Sequence, residues 1–174
     1  MNRLSILIYL FILSACTSNT EETATSVKRA PFGKIIFHTT ECFGTCPAYH
    51  LEVDSDKTFH LYTETVYEKG AVLPSQRDTS LTGYYKGTAN DTTFNKLTTQ
   101  IQTLGIDTLD FGNSNCCDGS LITIIIYHDG KRRFMRSMFP PERARNLVNA
   151  LYEICETSRM ERTKEEFKIE NPDK

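Results

Sequence analysis

The sequence has no excess of positive charge: 20 Lys and Arg against 22 Asp and Glu leave a formal net charge of −2. That excludes the basic footprint of a nucleic-acid binder and a polybasic surface for anionic lipid. It also lacks a Gly-rich phosphate loop, a Ser-centred nucleophile elbow and a paired-carboxylate motif. No catalytic residue and no cofactor are therefore expected. Metal motifs are missing as well. Cys42, Cys46 and Cys116 or Cys117 are workable zinc ligands by type, but no His stands at a finger spacing from them. Asp54-Ser55-Asp56-Lys57 lacks the glycine and distal glutamate of a calcium loop and puts a lysine among the ligands, so its aspartates are turn formers. The four histidines, His38, His50, His60 and His128, fall on strands or at a turn and read as solvated residues, not a cluster. There is no internal repeat beyond two hairpin-then-helix halves of unequal length.

What is present begins with an export signature. Met1-Asn2-Arg3 is a short positive segment and Leu4 to Ile12 an apolar one, too short to span a bilayer as a helix. Leu13-Ser14-Ala15-Cys16 resembles a bacterial lipobox, in which the cysteine thiol takes a diacylglycerol before cleavage. Residues 1–15 are thus expected to be a lipoprotein signal peptide, Cys16 the lipidated residue and the membrane the first partner. The run from Thr17 to Ser26 has almost no apolar side chain and cannot offset the entropy of ordering, so 16–31 is expected to be a flexible tether. Thr17 is not the aspartate that favours inner-membrane retention, which points to the outer membrane of the cell envelope.

The 174 residues, 39% apolar and 24% charged, suit one globular domain, expected over 32–160. Gly33 to Thr39 is a β-rich run after Pro31. Tyr49, Leu51 and Val53 alternate with His50, Glu52 and Asp54, and Phe59 and Leu61 alternate with His60 and Tyr62, the pattern of half-buried strands. The two apolar sets must share a face. That requires a three-residue loop, Ser55-Asp56-Lys57, which pairs Val53 with Phe59, Leu51 with Leu61 and Glu52 with His60. Residues 68–79 read as a loop or ragged edge and Leu81 to Gly87 as a short strand. Asn90 or Asp91 caps a helix carrying Phe94, Leu97, Ile101 and Leu104, with Gly105 as its stop. Leu121 to Tyr127 is apolar on both faces, as a central strand would be. Asp129-Gly130 predicts a two-residue turn pairing Ile125 with Phe134 and Ile124 with Met135. Pro140-Pro141 opens a last helix with Ala144, Leu147, Val148, Leu151, Ile154 and Cys155 as its buried stripe. Beyond Arg159 a charged tail, 161–174, is expected to fray. The fold class is α+β: a single domain with an antiparallel sheet of about five or six strands and two helices mainly on one face, in the order ββββ-α-ββ-α.

Six cysteines in an exported chain suggest disulfides, since compartments beyond the inner membrane are oxidising. With Cys16 lipidated, five remain and at least one is free; Cys155, on an apolar helical stripe, is the expected buried thiol. Cys42, Cys46, Cys116 and Cys117 lie near two loops and allow three complete pairings. A Cys116–Cys117 bridge would distort the peptide between them, while crossed bridges are open if the loops meet.

The stretch Cys42-Phe43-Gly44-Thr45-Cys46-Pro47-Ala48-Tyr49, a tight corner running into a strand, resembles the bacterial family known as domain of unknown function 6438. The likeness continues to about Cys155. It implies an exported protein, often a lipoprotein, and favours a structural Cys42–Cys46 disulfide; it brings no activity with it. The vicinal pair Cys116-Cys117, a possible further disulfide, departs from the family pattern.

The functional expectation is an envelope lipoprotein that binds or scaffolds another envelope component without catalysis. The alternatives are an unrecognised envelope enzyme, or a thiol-redox or metal-binding module at Cys42 and Cys46. A thioredoxin-type site would have Cys-x-x-Cys at a helix N-terminus; here three residues intervene and a strand follows. A pocket of convergent polar groups would favour the enzyme, and a flat apolar patch a protein partner.

Overall fold

The structure is a computed structural model that describes residues 30–170. The expected signal peptide (1–15), the lipidation at Cys16, the tether as far as residue 29 and the last four residues of the tail lie outside the described residues. Seven strands form one antiparallel sheet: β1 (Lys34–Thr39), β2 (Ala48–Asp54), β3 (Thr58–Thr65), β4 (Gly83–Thr88), β5 (Ile122–His128), β6 (Lys131–Ser137) and β7 (Arg159–Thr163). Their order across the sheet is β6-β5-β1-β2-β3-β4-β7. Two helices, α1 (Asp91–Thr103) and α2 (Arg145–Thr157), follow β4 and β6. The architecture is α+β as expected, with one strand more than the expected maximum of six.

The local signals account for most of this. Val53 faces Phe59, Leu51 faces Leu61 and Glu52 faces His60. Lys57 takes a left-handed backbone in the three-residue turn between β2 and β3. Asp129 and Gly130 both have positive φ, as a two-residue type I′ turn requires, and they set Ile125 against Phe134. Asn90 caps α1, its side chain accepting from Thr93 N–H, and Gly105 ends it in the left-handed conformation. The stripe of α2 is buried throughout, Cys155 included.

The core lies between the helices and one sheet face, built from Ile35, Phe37, Leu51, Val53, Phe59, Leu61, Ile124 and Ile126 against Phe94, Leu97, Leu147, Leu151 and Ile154. β5 is interior but one place from the edge, beside β1. The extra strand corrects the expectation of a fraying tail after Arg159. Arg159–Thr163 pairs with β4 along its length, because the backbone ladder does not depend on the side chains being apolar. Gly87 opposite Met160 lets the two strands approach closely.

Candidate functional site

The face of the sheet without helices carries one continuous row. Arg136, Thr123, His38, His50, Tyr62, Tyr84 and Thr163 oppose one another in succession across all seven strands. Directly opposed side chains on one face lie close enough to interact, and these do. The rings of His50 and Tyr62 stack with centroids 5.7 Å apart, and those of Tyr62 and Tyr84 at 4.7 Å.

Residues 164–170 cross this face as a strap. Phe167 sits on His60 and edge-on to Tyr84. Glu170 binds through its side chain to Tyr127 Oη at 2.6 Å and to Arg132 Nη2 at 2.7 Å, while its carbonyl meets His38 Nε2 at 2.7 Å. The strap therefore passes over the neighbouring row of Ile125 and Ile36, which accounts for their complete burial away from the helices. Burial works against the Glu170 carboxylate, but the bonds from Tyr127 and Arg132 prevail and hold its pKa below the usual value. The same carboxylate pushes the Tyr127 hydroxyl up.

Between strap and row lies a cleft of about 770 Å³, lined by His38, His50, Tyr62, Tyr84, Arg136 and Phe167 among others. Its histidines correct the expectation of solvated, unclustered residues. His38 is buried, its Nδ1 lies 2.7 Å from His50 Nδ1, and His50 Nε2 lies 3.1 Å from Glu64 Oε2. The Glu170 carbonyl can only accept, so His38 donates from Nε2, and one proton between the two Nδ1 atoms completes their contact. The Glu64 carboxylate accepts from His50 Nε2–H. Burial, with a smaller contribution from Glu64, raises the Tyr62 hydroxyl pKa. The strap and the row were missed because their signals are weak in the sequence: an alternation, Phe167-Lys168-Ile169-Glu170, in a charged tail, and two histidines joined only by the β1–β2 register.

Of the expected sites, Cys42 and Cys46 are joined in a disulfide. Their corner stands beside the cleft, held by Thr39, whose hydroxyl donates to Pro47 O and accepts from Tyr49 N–H. Cys116 and Cys117 are exposed free thiols, their sulfurs 2.9 Å apart, and do not pair with the first corner. The two loops do meet, Phe43 N–H donating to Asp118 O at 3.0 Å. Cys155 is fully enclosed, and burial raises its thiol pKa well above the ordinary value. Asp56 accepts from Thr58 N–H in its turn, as expected of a turn former. Among the described residues no three His, Cys, Asp or Glu side chains are grouped to hold a metal ion, and no helix is long and apolar enough to cross a membrane.

These features define a class: a sheet-and-two-helix domain whose helix-free face is crossed by its own chain. The chain belongs to the family described as domain of unknown function (DUF6438), whose profile matches residues 33–156. The match takes in the first six strands and nearly all of α2, and so the sheet side of the cleft; β7 and the strap follow it. Comparison with curated proteins and with solved structures gave no match.

Proposed function

We propose that this protein is a lipid-anchored envelope module that binds a small anionic ligand in the cleft beneath its strap, without turning it over. The cross-strand row is the observation that carries the reading. It brings rings, hydroxyls and cationic side chains from successive strands onto one concave surface, the arrangement expected of a small-molecule site. Arg136, Lys168 and His50 line the cleft, whereas Glu170 turns its carboxylate toward Arg132. The lining therefore suits an anionic group, and the faces and edges of Tyr62, Tyr84 and Phe167 suit a ring or an apolar stem beside it.

The test is thermal stabilisation by a panel of small carboxylates, phosphates and acidic sugars, followed by calorimetry on any that act. Binding should fall at least about tenfold, or about 1.4 kcal/mol, in Tyr62→Ala and His50→Gln. A panel without effect, or binding untouched by both changes, refutes the reading. Anchoring has its own test: a palmitate analogue should label the wild type and not Cys16→Ser.

The hydrogen-bonded chain His38–His50–Glu64 favours a second reading, an enzyme that moves a proton through His50. Turnover of any ligand that the panel finds, abolished by His50→Gln, would replace the first reading with this one. A protein partner in the envelope would instead be captured by crosslinking in the native membrane, with the cleft indifferent to the small ligands.

A further inference from the structure

Five cysteines follow Cys16, and the fold places them in three situations. Cys42 and Cys46 are bonded, Cys155 is enclosed, and Cys116 and Cys117 stand exposed next to each other with their sulfurs 2.9 Å apart. That separation is shorter than ordinary contact between two sulfur atoms. Neighbouring side chains in extended backbone point to opposite sides; here Cys117 has φ +69°, and the turn in the chain brings both thiols together. The loop is held rather than loosely placed. Met138 N–H donates to Ser114 O at 2.8 Å, Phe43 N–H to Asp118 O, and Ser120 Oγ to Thr40 O at 2.7 Å.

We propose that Cys116 and Cys117 form a reversible thiol–disulfide couple that exchanges two electrons with an external disulfide. In the forward step one of the two, as thiolate, attacks one sulfur of the oxidant's disulfide. That S–S bond breaks, a mixed disulfide forms, and the other oxidant sulfur leaves as a thiolate that takes up a proton. The neighbouring cysteine, 2.9 Å away, then loses its proton and attacks the first one's Sγ, closing the bond between the two and releasing the second oxidant thiol. Two thiols are oxidised and one disulfide is reduced. The ring formed across a single peptide is small and constrained, which makes the product readily reducible and the couple reversible.

The test uses the full chain in glutathione buffers of increasing oxidised fraction, with alkylation of remaining thiols and mass spectrometry of the Cys116-Cys117 peptide. The two thiols should disappear together, leaving a peptide lighter by two hydrogens, while Cys42 and Cys46 stay unalkylated. Cys117→Ser should accumulate a lasting glutathione adduct on Cys116, and Cys116→Ser one on Cys117, because neither has a neighbouring thiol to resolve it. The couple is refuted if both thiols still alkylate under a large excess of oxidised glutathione, or if the product is a disulfide between two chains. Alkylation that appears at Cys42 or Cys46 as Cys116 and Cys117 are lost would show internal exchange with the first bridge and overturn the proposal.

Discussion

His38 and His50 face each other across the β1–β2 ladder with their Nδ1 atoms 2.7 Å apart, a separation that holds one proton between them. Two N–H groups would collide there, and two lone pairs would repel. With the Glu170 carbonyl at one end and Glu64 at the other, the chain is complete when it contains three protons. Nitrogen-detected NMR of the imidazoles should show His38 and His50 each protonated on Nε2 and one proton held between the two Nδ1 atoms. Two Nδ1–H groups, or none, would refute this arrangement.

Gly87 is a close-approach position. A Cβ there would lie 2.1 Å from Arg159 O and 2.9 Å from Phe59 Cζ, so the β4–β7 ladder and a fully buried ring would both have to move. Overpacking of this kind costs about 1–3 kcal/mol or more. Gly87→Ala should therefore lower Tm by several degrees, at roughly 2–8 °C per kcal/mol, and hydrogen exchange should quicken most in β7. An unchanged Tm would mean that the two strands are not held together as described.

The Cys42–Cys46 bridge closes a short loop between β1 and β2. The loop-entropy estimate for so short a ring is about 2 kcal/mol. Cys42→Ser with Cys46→Ser should lower Tm by about 4 °C or more and quicken exchange at residues 40–48, with the rest of the sheet little changed. Reduction that leaves the melting curve where it was would deprive the bridge of a stabilising role.

The parts of this fold legible in the sequence are those where two faces of one element differ chemically. Leu51, Val53, Phe59 and Leu61 fix the β2–β3 register because a slip by one residue would turn them to water. The Asp129-Gly130 turn and the stripe of α2 are legible for the same local reason. β7 was not, because Arg-Met-Glu-Arg-Thr offers one apolar residue and its stability comes from a partner strand more than 70 residues earlier, as in Tyr85 opposite Arg162. The cleft was illegible on similar grounds. Parity already set His50 beside Tyr62, but only the long-range registers of β1 with β2 and β5 bring His38 and Thr123 into line with them. A row perpendicular to the strands has no periodicity along the chain.

Glu170 makes the strap sensitive to acid. In the folded chain its carboxylate accepts from Tyr127 and Arg132, and these bonds outweigh its partial burial, so its pKa lies below the usual value. An unfolded or released strap would titrate at about 4.3. A depressed folded value means that the released form binds a proton more readily, so docking is favoured fully above about pH 4.3 and is lost as pH falls through the lower folded value. Amide protection over residues 165–170, and the ring signals of Phe167, should therefore be steady at neutral pH and collapse in acid before the β1–β2 and β1–β5 ladders respond. Glu170→Gln removes the titrating group: the strap should be less protected at neutral pH and show little further change on acidification. Protection that holds unchanged down to about pH 3 would mean that Phe167 and the backbone bond to His38 dock the strap without the carboxylate. Early release in acid would instead make the Glu170 carboxylate the contact that keeps the cleft covered.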